Sequence, residues 1–227
     1  MATSILIQDS LEIPFVRSLA EFRVWAASDA YPQQGRIDFL AGRIEVDLSP
    51  EDLYCHGTLK TRLVIVLGQI MDAGDLGELF TDKTRVSSPQ ADLSAEPDVL
   101  FVSYDSLEEG RVRRVPKATG EPERYIEFEG APDLVVEIVS DESVGKDTQR
   151  LPVAYYRAAV PEFWLLDVRR GRLDFEIHQR GPAEYEPVAP DTDGFRHSAV
   201  FDRSFRLSRR KGRAGGWQYD LEQKLKS

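Results

Sequence analysis

The run Pro132-Asp133-Leu134-Val135-Val136-Glu137-Ile138-Val139-Ser140 constrains this chain more than any other segment. Consecutive β-branched and apolar residues of this length read as a strand buried on both faces. Yet Glu137 sits near its end. A carboxylate taken out of water is costly unless a cation or a hydrogen-bond network meets it. A second run, Glu96-Pro97-Asp98-Val99-Leu100-Phe101-Val102, also places an acid at the mouth of an apolar strand. Side by side, these strands would bring Asp98 and Glu137 together, which is how a protein holds a hard divalent cation.

Composition narrows the class. A chain of 227 residues with 41% apolar content suits one domain, or one domain with appendages. No apolar run approaches the roughly 20 residues that span a bilayer. The start, Met1 to Asp9, lacks the basic stretch of a secretory leader. The expectation is a cytoplasmic protein with no membrane partner. Cys55 is the only cysteine, which excludes an internal disulfide and a cysteine-rich zinc site. The net charge of −10 counts against a broad, non-specific nucleic-acid binder. Charge is local, however, and six of the eleven residues from Arg203 to Arg213 are Lys or Arg. That run reads either as a solvated segment or as a local basic patch.

The periodicities outline a mixed α/β chain. Ser18-Leu19-Ala20-Glu21 has capping-box spacing and predicts a helix to about Ser28. Residues 35–48 alternate around Ala41-Gly42, as in a hairpin. Leu59, Leu63, Val66, Leu67, Ile70 and Met71 form one apolar face and predict a helix over 51–73, stopped by Gly74 and Gly77. Strands are expected over 78–86, 98–103, 125–128 and 134–139, with a charged loop over 104–124. A helix over 146–159 must place Pro152 in its first turn or kink there. Phe163-Trp164-Leu165-Leu166 and Leu173–His178 predict a hairpin across Arg170-Gly171. The rest is β-rich, and Trp217–Lys226 reads as a terminal helix. The expected architecture is a central mixed sheet flanked by helices, with extra hairpins.

Several blocks resemble a bacterial family of putative restriction endonucleases with a PD-(D/E)XK core. They are Pro97-Asp98-Val99, Pro132 to Ser140, Lys146-Asp147 with Tyr155, and Val160-Pro161-Glu162-Phe163-Trp164-Leu165-Leu166-Asp167. The resemblance covers about residues 17–180, leaving 1–16 as an N-terminal extension and 181–227 as a C-terminal β-rich and helical extension of the same domain. It implies a restriction-endonuclease-like fold and a Mg²⁺-dependent endonuclease acting on DNA, with Mn²⁺ as a substitute. Asp98 and Glu137 are then the metal-binding acids, with the backbone carbonyl of Ile138. Two-fold dimers are common among nucleases of this fold, because two nicks make one double-strand break.

One departure stands out. The lysine usual two residues after the second acid is Val139 here. In this family the basic residue is thought to come from the following helix, which makes Lys146 the catalytic candidate and Arg150 the other. His56 lies where the family often has a histidine and is a candidate to line the site. Asp133, four residues before Glu137, faces the same side of the strand. It reads as a strand-start cap or a third ligand. Phosphodiester hydrolysis needs a polarising metal, an oriented water and positive charge near the transition state. A non-cleaving module that binds nucleic acid or protein on the same fold is the competing reading, favoured by Val139 and the acidic balance. Glycosidase-type chemistry by two facing acids is weaker, since the aromatic residues fit core packing better.

Overall fold

The computed structural model describes residues 13–32 and 34–225. The leader reading, most of the 1–16 extension and the last residue of the expected terminal helix, Lys226, lie outside them. Helix α1 (Leu19–Ala26) opens on Ser18, whose hydroxyl accepts the Glu21 N–H. The hairpin of β1 (Arg36–Leu40) and β2 (Arg43–Asp47) turns through Ala41 and Gly42, both at positive φ. One π-helical turn, Leu53–Gly57, leads into α2 (Thr58–Gly74). Strands β3 (Gly77–Thr81), β4 (Arg85–Ser88), β5 (Leu93–Ala95) and β6 (Val99–Ser103) follow. After them come a short helix α3 (Tyr104–Glu108), then β7 (Val112–Pro116), β8 (Tyr125–Gly130) and β9 (Leu134–Ile138). A second π-helical turn, Lys146–Arg150, opens α4 (Leu151–Arg157). Pro152 thus follows directly on the π-helical turn, and the helical run is irregular where the missing proline N–H interrupts the α ladder. The chain ends in β10 (Glu162–Asp167), β11 (Asp174–Arg180), β12 (Tyr185–Pro187), β13 (Arg196–Ser198), β14 (Arg203–Lys211) and β15 (Trp217–Leu225).

These strands build two six-stranded sheets, β2-β1-β5-β4-β8-β7 and β12-β11-β10-β9-β6-β3, plus a three-stranded sheet β13-β14-β15. The single central sheet expected from the sequence is therefore two. The strand expected over 78–86 breaks at Asp82 and Lys83, both at positive φ, so β3 joins one sheet and β4 the other. The charged stretch 104–124 is not all loop. Its β7 pairs with β8, with Arg113 on Glu129 across the ladder. Trp217–Leu225 is a strand, not a helix: Trp217, Tyr219 and Leu221 alternate, and β14 supplies nine backbone partners.

Strand β9 is covered on both faces. Val136 belongs to the core cluster that also holds Leu59, Leu63 and Leu67 of α2, Trp164, and Phe205 and Leu221 of the C-terminal sheet. Val135 belongs to a second cluster, with Leu151 and Tyr155 of α4 and Phe163. Fully burying each such aliphatic side chain contributes about 1.5–3 kcal/mol. Residues beyond 180 are bound into this core. Buried Glu162 accepts hydrogen bonds from Trp164 Nε1 (2.7 Å), the Ser198 hydroxyl (2.5 Å) and the Ala199 N–H (2.8 Å). Among the described residues, no helix is long and apolar enough to cross a membrane.

Candidate active site

Strand register brings the two acids together. Strand β6 runs antiparallel to β9, with Val99 opposite Val136. Asp98 immediately precedes Val99 and Glu137 follows Val136, so both acids lie at the same end of the pair, linked through Arg36. Both are buried, at 0% and 1% exposure. Strand β10 lies parallel on the other side of β9 and seals it.

Asp98 is surrounded by donors. The Ile138 N–H donates to its Oδ2 (2.7 Å). Its Oδ1 meets Arg36 Nη2 (2.6 Å), His56 Nε2 (3.2 Å) and Lys60 Nζ (3.5 Å). Burial alone would raise its pKa, but Arg36, His56 and Lys60 outweigh burial and hold the carboxyl far below the usual range. Glu137 has fewer partners. The Tyr155 hydroxyl donates to its Oε1 (2.6 Å), while Oε2 is buried without a hydrogen-bond donor and lies 3.7 Å from Arg36 Nη1. Burial and the adjacent Asp98 charge push Glu137 well above the usual glutamate range, against the pull of Arg36. One guanidinium thus bridges both acids.

The two π-helical turns deliver most of the other groups. The first carries His56, whose Nδ1 lies 3.3 Å from Glu51. Burial opposes its proton, but the bond to Asp98 prevails and raises its pKa. The second carries Lys146, Asp147 and Arg150. Lys146 is buried with Nζ 2.9 Å from Asp38 Oδ2. Asp147 is pushed up to about 6, mainly by burial, which Lys146 only partly offsets. Insertions of this kind re-aim side chains and recur at functional sites.

The structure gathers Asp98, Glu137, Ile138, Lys146 and His56 into one region, though Lys146 contacts Asp38 rather than either acid. It does not gather Asp133 or Arg150. Asp133 lies at the opposite end of β9, bound to Arg111 (2.6 Å), the Ser106 hydroxyl and the Ser103 N–H (2.7 Å). It caps the strand there and is not a third ligand, because four residues of strand separate it from Glu137 by about 13 Å. Arg150 forms a two-pronged pair with Glu45 on β2 (2.6 and 2.8 Å), with its side chain half exposed.

Arg36, Asp38, Glu51 and Lys60 were not singled out from the sequence. Only Lys60 left a signal. Lys60 shares a helix face with Leu63 and Leu67, where a charge needs partners; it finds Glu51 (2.6 Å) and Asp82. Arg36 and Asp38 occupy one phase of β1 while Ile37 and Phe39 fill the other.

A cleft of about 890 Å³ lies beside the acids and is lined by their neighbours, not by Asp98 or Glu137 themselves. Arg36, Glu51, His56 and Ile138 lie along it, with Arg169 and Arg170 at its side. The ligand atoms of Glu51, His56 and Asp98 lie within 4.8 Å of one another and form a group able to hold a metal ion. Oxygen donors with one imidazole fit a divalent cation, whereas Glu137 is not part of this group and its Oε2 lies 3.7 Å from Arg36 Nη1.

Comparisons with known proteins agree with this architecture. Among curated proteins, none matches the sequence. A solved structure described as a putative nuclease belonging to DUF820, from Anabaena variabilis, superposes with a TM-score of 0.59 at 18% identity. The match covers 81% of this chain and 90% of that one, and it shows a shared, restriction-endonuclease-like fold. The Uma2 family, described as putative restriction endonucleases, matches residues 19–210, and the chain belongs to this family.

Proposed function

We propose that this chain is a metal-dependent endonuclease that hydrolyses phosphodiester bonds in DNA, using Mg²⁺ with Mn²⁺ as a substitute. The observation that carries this reading is Glu137 Oε2, a buried oxygen with no donor, at the same strand end as an ionised Asp98. Native chains rarely bury such an atom unmatched. Asp98, Glu137 and the Ile138 carbonyl would hold the cation, with His56 and Glu51 beside them. The bound cation would supply a polarised phosphoryl oxygen and a water of lowered pKa. Tyr155 orients Glu137 through its hydroxyl. Lys146 takes the place that Val139 cannot fill: its buried ammonium, held by Asp38, offers positive charge to the substrate phosphate. Arg36 neutralises the acids and must shift when a cation enters. We place the protein in the cytoplasm and, for double-strand cleavage, in a homodimer.

Incubation of supercoiled plasmid with the protein and Mg²⁺ tests the reading. Nicked and linear products are expected, and both Glu137→Gln and Lys146→Met should abolish them without unfolding the chain. Full cleavage by Glu137→Gln would remove the proposed site. The non-cleaving binding module remains the second reading, because Arg36 and Lys60 already neutralise Asp98 without metal. A melting temperature unmoved by millimolar Mg²⁺ or Mn²⁺ would favour it.

A further inference from the structure

The chain carries net charge −10, so any grip on phosphates must be local. The Arg203–Arg213 run divides into two halves. Arg203 bonds Gln223, and Arg206 is neutralised by Glu222 (2.7 Å). At the other end, Arg209, Arg210, Lys211 and Arg213 have no carboxylate partner among the described residues.

These cations are arranged, not scattered. Arg209 donates to the carbonyls of Val168 (3.2 Å) and Gly171 (2.7 Å), which fix its position without cancelling its charge. The Trp217 ring has Arg209 4.2 Å and Lys211 Nζ 3.6 Å from its centroid. Two like charges held against one indole repel each other, and an anion between them relieves that repulsion. A groove of about 450 Å³ runs from Arg209, Arg210 and Trp217 along Thr58, Thr61 and Arg62 of α2, with one carboxylate, Asp220, on its wall and Lys211 and Arg213 outside it. Guanidinium, ammonium and hydroxyl groups in this mix are the usual partners of a phosphate backbone.

The hairpin tip also touches the site. A side chain at Gly216 would collide with the Tyr54 ring, because the tip rests on the π-helical turn that carries His56. Cys55 of that turn lines the cleft and bonds the same Val168 carbonyl as Arg209. By contrast, Arg169 and Arg170 at the cleft are paired with Asp141, and Arg169 also with Asp167.

We propose that the tip of the β14–β15 hairpin, with Arg62 of α2, seats the phosphate backbone of duplex DNA and leads it to the cleft. This deepens the nuclease reading and rests on it for the choice of DNA. The test separates binding from cleavage. A labelled duplex DNA is titrated with the Glu137→Gln protein in chelator, and anisotropy is read at several salt concentrations. Adding Arg210→Ala, Lys211→Ala and Arg213→Ala together should weaken binding by about tenfold or more and lower the salt slope by about two to three. All three residues lie at the exposed end of the hairpin, and circular dichroism checks that the variant folds. Unchanged affinity and slope overturn the proposal, as does absence of binding by the parent protein or tighter hairpin-dependent binding of duplex RNA. Hairpin-dependent DNA binding without metal-dependent cleavage supports the surface and overturns the nuclease reading. Metal-dependent cleavage with hairpin-independent binding does the reverse.

Discussion

The two sides of the buried acid pair are built differently. On the Asp98 side, β1, the first π-helical turn and α2 bring Arg36, His56 and Lys60 within 3.5 Å of one carboxylate. On the Glu137 side, α4 brings only the Tyr155 hydroxyl, and Oε2 has no donor. Burial is the same, yet Asp98 is held ionised and Glu137 is pushed toward its neutral form. Strand position decides that an acid is buried. The elements packed over the strand end decide its charge.

The sharpest way to break this comparison is Asp98→Asn. It leaves three cations around a neutral amide and should cost about 3–5 kcal/mol in denaturant unfolding. A loss below about 1 kcal/mol would show that the cations are solvated and that Asp98 does not organise them. Tyr155→Phe attacks the other side. It removes the donor to Glu137 Oε1 and should cost about 1–3 kcal/mol, with no effect on His56 titration followed by NMR.

Glu137→Gln is expected to act through pH more than through stability at one pH. A carboxyl whose folded pKa is raised keeps its proton in the folded chain while the unfolded chain releases it. Its contribution to stability is complete below the ordinary carboxylate range and declines as pH rises toward the folded value. Asp147, at about 6, acts in the same direction. The parent protein should therefore lose stability as pH rises above the ordinary carboxylate range, with the Asp147 share of the loss centred between about pH 4 and about pH 6. The glutamine variant, which has no proton to lose at this position, should flatten that decline. Identical profiles for the two would sink the assignment. Arg150→Ala should have the smallest effect, below about 0.5 kcal/mol, because its pair with Glu45 is half exposed and screened. Cleavage lost in that variant would return Arg150 to the site.

Much of the fold was legible because local patterns carry it. The Ser18 cap, the Ala41-Gly42 turn, the apolar face of α2 and the run through β9 each express a backbone preference or a buried face within a few residues. Errors came where the pattern was short or depended on distant partners. Asp82-Lys83 split one expected strand between two sheets, and β7 exists because β8 lies beside it. Trp217–Leu225 does alternate with period two, but its apolar positions are few enough to mimic a helical face.

Within the site, Asp98 and Glu137 stood out because acids inside apolar strands conflict with burial. Arg36 and Asp38 did not, because a charged residue in an early hairpin is ordinary until that hairpin is folded over the acids. Asp133 looked equivalent to Glu137 by spacing, yet Ser106 and Arg111 meet it at the far end of β9.

By itself, the sequence determined that two carboxylates would be buried at the ends of apolar strands, because β-branched runs leave their neighbours no route to water. Only the tertiary structure decided that they would lie at one end of the strand pair, with one ringed by cations and the other left with an unmatched oxygen. Register and the helices packed above are set by contacts far apart in the chain, and no local pattern encodes the electrostatic field they create.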